Sequence, residues 1–333
     1  MIVSLKRGAD AVRVLSELTA RGLWVSEVER GQEGAASHYV IAPFSTGIDA
    51  TELLGIEGVD HVSSPRSAHP MVSRQGPRVD VAGMTIGEGA PPAWMCGPCS
   101  VESAEHVREI ADRIAPLGVA FLRGGAFKPR TSPYAFQGHG KVALEWLRRA
   151  ADATGMRVVT EALGEGHVAE VAELADLIQV GSRNMHNYAL LKAVGRAGKP
   201  VLLKRGMAAT IDEWLLAGEY LLASGASGVV FCERGIRSFD ASTRNLLDVG
   251  AVALLALVHR LPVIVDPSHG AGRRDLIVPL GRAALAAGAS GVMVETHADP
   301  GRALSDGPQA IPLHDLGRAL AEMRSAKAAG GAS

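Results

Sequence analysis

From Trp94 to its end the chain alternates short apolar runs with amphipathic segments, and few folds accept that rhythm for so long. The apolar runs fall at residues 93–96, 120–123, 157–160, 177–180, 201–204, 228–231, 263–265 and 291–294. Between them lie segments such as 104–117. There Val107, Ile110 and Ile114 form one helical stripe, Ser103 stands at the N-cap and Gly118 at the stop. Eight strands with intervening helices over about 240 residues is the arithmetic of a (β/α)8 TIM barrel, an α/β fold. A doubly wound open sheet has fewer strands as a rule, and a Gly-x-Gly-x-x-Gly turn after the first, which this chain lacks.

Residues 1–63 follow a different pattern. The spacing predicts a strand at 1–5, a helix at 9–21 and strands at 24–29 and 38–42 with a glycine-containing turn between them. A short helix at 49–54 and a last strand at 59–62 complete the order β-α-β-β-α-β, a ferredoxin-like α+β unit. A linker rich in turn formers spans 64–77. The barrel then occupies 78–333, led by a hairpin at 79–86.

Composition excludes several function classes. Lys+Arg is 34 against Asp+Glu 35, a net charge of −1, whereas nucleic-acid binding calls for a clear basic excess. No stretch approaches the ~20 apolar residues of a membrane span. Hydrophobic residues at 47% and charged residues at 21% are enough for a sizeable core. Three cysteines are too few for a disulfide framework, and Lys6, Arg7 and Asp10 interrupt any early apolar run. The expectation is a cytoplasmic metabolic protein.

In a barrel the residues just past each strand converge on one mouth, where chemistry sits. Two populations gather at those positions. Arg123, Lys128, Arg130, Arg183, Lys204 and Arg234 form a cationic group in a nearly neutral protein. One such residue would ordinarily be a solvated loop charge. Six at successive strand ends point to a ligand with several anionic groups, phosphates and carboxylates first among them. The second population is Cys99, His269, Glu295 and Asp306. Alone, Cys99 reads as a small buried hydrophobe and His269 as a loop or core histidine. Together they are a mixed S/N/O set suited to a borderline divalent ion such as Mn, Fe, Co or Zn, which would act as a Lewis acid on a carbonyl oxygen. Their spacing matches no local metal motif, so only a closed barrel unites them. Cys96-Gly97-Pro98-Cys99 is also a C-x-x-C string, but a thioredoxin-like reading needs that motif to open a helix in a different fold. Cys232 reads as core.

Seven strings carry a resemblance: Gly97-Pro98-Cys99-Ser100, Arg123-Gly124-Gly125-Ala126-Phe127-Lys128-Pro129-Arg130-Thr131-Ser132-Pro133, Gly181-Ser182-Arg183-Asn184, Leu203-Lys204-Arg205-Gly206, Cys232-Glu233-Arg234-Gly235, Asp266-Pro267-Ser268-His269 and Leu304-Ser305-Asp306-Gly307. Over essentially the whole chain they are similar to 3-deoxy-D-arabino-heptulosonate 7-phosphate (DAHP) synthases of the subtype with an N-terminal ferredoxin-like extension. The resemblance implies a metal-dependent TIM barrel that condenses phosphoenolpyruvate with erythrose 4-phosphate and water, releasing phosphate, at the first step of the shikimate pathway. Its implied metal ligands are Cys99, His269, Glu295 and Asp306. Arg123, Lys128, Arg183, Lys204 and Arg234, helped by the Ser182 N–H, would hold phosphoenolpyruvate. Arg130 and Thr131 would hold the sugar phosphate, Lys128 would be a proton donor, and Glu161 would lie near the attacking water. The resemblance further implies a homotetramer and an aromatic effector, Tyr or Phe, at the N-terminal unit. Cys96 departs from the family pattern, where a small residue is expected, and suggests sensitivity to oxidation.

Three rivals remain. A 3-deoxy-D-manno-octulosonate 8-phosphate synthase runs the same condensation on arabinose 5-phosphate, and Lys128-Pro129-Arg130-Thr131 with the N-terminal unit favours the four-carbon sugar instead. A sialic-acid-type synthase is more distant. A non-catalytic sugar-phosphate sensor would be expected to lose part of the metal set or Lys128, and all are present.

Overall fold

The computed structural model describes residues 1–28, 38–63, 67–128, 132 and 134–330. They divide into two compact units, Met1–Ala68 and His69–Ser333. The turn expected between the strands at 24–29 and 38–42, and the linker residues 64–66, lie outside the described residues.

The first unit runs β1 (Ile2–Leu5), α1 (Ala11–Ala20), β2 (Val25–Val28), β3 (His38–Ile41), α2 (Ala50–Leu54) and β4 (Val59–Ser63). Its antiparallel sheet has the order β2-β3-β1-β4, the ferredoxin-like arrangement. Each helix starts on an acidic cap that accepts from a first-turn N–H: Asp10 from Arg13 and Asp49 from Thr51. Val14 and Leu18 of α1 and Leu53 of α2 close over Val3, Leu5, Tyr39 and Val62 to make a small core.

The second unit opens with α3 (Pro70–Gln75) and a hairpin of β5 (Arg78–Val81) and β6 (Met84–Gly87). Eight parallel strands follow: β7 (Ala93–Gly97), β8 (Phe121–Arg123), β9 (Arg157–Glu161), β10 (Leu177–Val180), β11 (Pro200–Lys204), β12 (Gly228–Glu233), β13 (Val263–Val265) and β14 (Gly291–His297). Each pairs with the next, β14 pairs with β7, and the barrel is closed. The helices outside it are α4 (Ala104–Ile114), α5 (Lys141–Thr154), α6 (Val168–Leu174), α7 (Tyr188–Arg196), α8 (Ile211–Ala223), α9 (Val249–Ala253), α10 (Pro267–Ala271), α11 (Ile277–Ala286) and α12 (Leu316–Gly330).

Alternation along the strands sorts two cores. Ala93 and Met95 of β7 face inward with Phe121, Leu177, Leu202, Val230, Cys232, Ile264 and Met293, and Val79, Val81 and Ile86 of the hairpin fill the end of that column. Trp94 and Cys96 face outward into the larger core beneath the helices. Arg157 ties the hairpin down by donating to the Val81 and Ala82 carbonyls at 3.1 Å.

Two expectations change. Residues 70–75, read as part of a linker, form a helix because Glu219 of α8 accepts the Met71 and Val72 N–H groups at 2.9 Å, while Val72 is buried. The strands also run further toward the mouth than their apolar runs suggest. Glu161, Glu233, Glu295 and His297 belong to strands rather than loops, which fixes their side chains more tightly than a loop would.

Candidate active site and metal centre

Gly97 ends β7 with φ +151, and a Cβ there would overlap the Arg123 carbonyl oxygen. That close passage of backbones turns the chain inward and delivers Cys99 to the mouth, 2% exposed. His269 lies on α10, directly after β13, with Asp266 as its N-cap. Glu295 projects from β14, and Asp306 follows on the next loop. One ligand atom from each of the four lies within 4.8 Å of every other. Cys99 Sγ is 3.1 Å from Asp306 Oδ2, and His269 Nε2 is 3.3 Å from Glu295 Oε2.

The donor chemistry of this cluster fits a divalent cation. Burial pushes Cys99 and Glu295 toward their neutral forms, Glu295 to about 7, even though Arg123 opposes it. Burial also drives His269 down to about 4, so its ring is neutral near pH 7. Glu295 is 1% exposed and its Oε1 has no partner, although Gln309 donates to Oε2 at 2.9 Å. Ionised, the two carboxylates and the thiolate would repel one another, and a bound cation offsets that repulsion and satisfies the orphaned oxygen.

Asp266 orients the imidazole. It is fully buried, accepts the His269 backbone N–H at 3.0 Å and meets Nδ1 at 2.8 Å, and it pairs closely with Lys204 Nζ. Burial alone would raise its carboxyl. The adjoining His269 and Lys204, through their electrostatic pull and their hydrogen bonds, override that and hold it well below the usual carboxylate range. An ionised Asp266 keeps the ring proton on Nδ1 and leaves the Nε2 lone pair facing the cluster.

Beside the cluster lies a cavity of about 480 Å³ bordered by Arg123, Lys128, Arg183, Lys204, Arg234, Glu161 and Ser182. Lys128 Nζ sits 3.0 Å from Cys99 Sγ and 3.1 Å from its carbonyl oxygen. Arg123 is buried and donates to Pro98 O at 2.8 Å. Burial pulls Arg234 down, and Arg183 and Arg244 add to the effect. One of its guanidinium nitrogens is buried without a partner. Glu161 accepts from Gln179 Nε2 at 3.0 Å. Arg130 and Thr131 lie outside the described residues.

The structure adds residues that strand-end reading left without a role. Arg244 lines the cavity and reaches Asp306 Oδ1 at 3.4 Å, while Asn245 and Gln179 line it too. Arg205, a strand-end cation, turns away from the cavity to bond Glu233 at 3.1 Å and Asp248 at 2.8 Å, bracing the loop that carries Arg234. The alternation along β11 signals this difference, since adjacent Lys204 and Arg205 must diverge. Nothing in the sequence marks Arg244. All three cysteines are free, and Cys96 is buried in the outer core, apart from Cys99 at the mouth.

Residues 68–329 match the model of the DAHP synthetase I family. A phospho-2-dehydro-3-deoxyheptonate aldolase of Thermotoga maritima is 44% identical over 97% of each chain. A 2-dehydro-3-deoxyphosphooctonate aldolase of Acidithiobacillus ferrooxidans is 33% identical over 70% of this chain and 88% of its own. The crystal structure of the DAHP synthase of Thermotoga maritima superposes with a TM-score of 0.76 at 43% identity, covering 99% of this chain and 98% of that one. A truncated form of the Thermotoga maritima synthase gives 0.71 at 47% identity over 77% of this chain and 94% of its own.

Proposed function

The chain belongs to the DAHP synthetase I family, and on that premise we propose that it is a 3-deoxy-7-phosphoheptulonate synthase. It joins phosphoenolpyruvate, erythrose 4-phosphate and water to give DAHP and phosphate in the shikimate pathway. The observation that carries the reading is the cationic cavity abutting the Cys99, His269, Glu295 and Asp306 cluster, with an unpartnered buried guanidinium nitrogen on Arg234. Buried donors without acceptors are costly, and an anionic ligand satisfies them.

In this reading Arg123, Arg183, Lys204 and Arg234, with the Ser182 N–H, bind the carboxylate and phosphate of phosphoenolpyruvate. Arg130 and Thr131 take the sugar phosphate. Cys99, His269, Glu295 and Asp306 hold one divalent ion, Mn, Fe, Co or Zn. When bound, that ion supplies Lewis-acid polarisation of the aldehyde oxygen. C3 of phosphoenolpyruvate then bonds to the aldehyde carbon. Lys128, whose Nζ is beside the cluster, delivers a proton to the oxygen as it becomes a hydroxyl. Water adds at C2 with Glu161 close by, and phosphate departs. The N-terminal unit serves regulation by Tyr or Phe, the enzyme works as a homotetramer, and three unpaired thiols suit the cytoplasm. Among the described residues no helix is long and apolar enough to cross a membrane.

The test is phosphate release with the aldose varied. Release is expected with phosphoenolpyruvate plus erythrose 4-phosphate, lost with chelator and restored by a divalent ion. Preference for arabinose 5-phosphate would overturn the sugar assignment, and activity indifferent to chelator would overturn the metal. Rates unchanged by millimolar Tyr and Phe would dismiss feedback control, and light scattering reads the subunit count.

A further inference from the structure

Beside the four proposed ligands lies a second group that neither they nor the cavity uses. Glu102, His106 and His297 each bring one side-chain N or O atom to within 4.8 Å of the others. Glu102 comes from the loop after β7, His106 from the first turn of α4 and His297 from the end of β14. The set invites a reading as a second metal site, and its protonation argues otherwise. The Asp299 N–H donates to His297 Nδ1 at 3.0 Å. Nδ1 is therefore the acceptor, and the proton of the neutral ring sits on Nε2. That nitrogen is buried, has no lone pair for an ion, and stands 3.4 Å from Glu102 Oε1 in a contact without hydrogen-bond geometry.

The same Glu102 oxygen accepts the Leu304 N–H at 2.8 Å. A chain of contacts thus runs from the Asp299 backbone through His297 and Glu102 to the Leu304 backbone. The ring of His106 packs against that of His297 with centroids 4.2 Å apart. Beside this chain the Ser100 and Ser305 hydroxyls bond each other. Both links join the loop that carries Cys99 to the loop that carries Asp306.

Asp306 needs such support. Its backbone is left-handed, φ 51 and ψ 24, a conformation that a non-glycine residue holds only when its surroundings impose it. Its carboxylate must also stay beside the Cys99 thiol at 3.1 Å. The next residue, Gly307, passes so close to the Pro300 carbonyl that a Cβ would overlap it. The segment from 300 to 307 is therefore tightly folded on itself, and it is fastened to the barrel beside Asp306 through Leu304 and Ser305.

We propose that Glu102, steadied by His297, is a positioning residue. It latches the segment 298–306 to the Cys99 loop so that Asp306 keeps its strained backbone and presents its carboxylate to the metal set. The inference rests on the metal reading above.

The experiment is a Co(II) titration of metal-stripped full-length protein, followed by the absorbance of thiolate-bound cobalt. The wild type is expected to bind one Co(II), and Glu102→Ala to bind it at least tenfold more weakly. Glu102→Gln retains an amide oxygen for the Leu304 N–H and is expected to recover most of the affinity. Glu102→Asp, one methylene short, is expected to resemble Glu102→Ala, so the Gln and Asp pair decides the matter if the Ala variant does not fold. In an Asp306→Ala background, Glu102→Ala should cost no further affinity, a non-additivity that a general loss of stability would not produce. A wild type that takes up no Co(II) overturns the metal reading itself. A wild type that binds, with Glu102→Ala or Glu102→Asp binding equally well, overturns the latch alone. An undiminished effect in the Asp306→Ala background overturns it too.

Discussion

Replacing Asp266 by Asn changes no heavy-atom shape and removes one buried charge. The carboxylate now serves His269 Nδ1, the His269 N–H and Lys204 Nζ, three donors on two oxygens. Asn offers one accepting oxygen and one NH2 group. If the NH2 takes the place of Oδ2, it faces His269 Nδ1, which must become an acceptor, and Lys204 Nζ, which loses its own acceptor. The ring proton then moves to Nε2, the nitrogen 3.3 Å from Glu295, and the lone pair meant for the ion is lost. Removing such an orienting carboxylate costs about 10–100-fold in metal affinity, or ~1.4–2.7 kcal/mol. If the oxygen takes that place instead, it keeps both Nδ1 and Lys204 Nζ, the NH2 opposes the His269 backbone N–H, and Lys204 stays buried at 5% exposure without its counter-charge. Breaking a buried pair from one side costs about 3–5 kcal/mol. The assays are zinc competition against a chromophoric chelator and urea unfolding of the metal-free protein. A folded Asp266→Asn protein that binds zinc as tightly as the wild type would refute the tautomer argument.

Two further outcomes follow from the geometry. Gly97→Ala places a methyl group against the Arg123 carbonyl at a φ that side chains avoid; it should displace Cys99 and lower metal affinity at least tenfold in the same competition assay, and unchanged binding would show that the turn is not needed. Metal affinity should also depend on pH. Glu295 in the metal-free protein, its carboxyl raised to about 7 by burial, and the Cys99 thiol, raised likewise, must both release protons to ligate. Affinity is therefore gained as pH rises and lost as it falls through 7. His269, at about 4, adds nothing above pH 5. A zinc affinity flat between pH 6 and 8 would contradict this.

How far the sequence reaches can be judged from particular residues. The barrel strands were legible because apolar runs between turn formers are a local signal, and Val79, Val81 and Ile86 alternate plainly enough to announce a hairpin. The helix at 70–75 was not legible as one. Pro70 suits a first helical turn, but the acid that caps it, Glu219, stands 148 positions away. The strand ends reached too far into the mouth to be read from hydrophobicity, because Glu161, Glu233 and Glu295 are polar residues held in strand by their neighbours.

By itself the chain determined which chemical groups were available and in what order the elements carry them: a thiol after the first barrel strand, an imidazole after the seventh, acids on and after the eighth, and cations at the strands between. Local periodicity suffices for that, since strand and helix patterns act over a few residues. Only the closed structure decided which of those groups meet. The pairing of β14 with β7 sets Glu295 beside Cys99, Asp266 turns out to orient His269, Arg244 reaches Asp306, and Arg205 faces away into a bracing pair. Those contacts join residues far apart in sequence, and their geometry depends on the register and curvature of the whole barrel, which no short window of residues encodes.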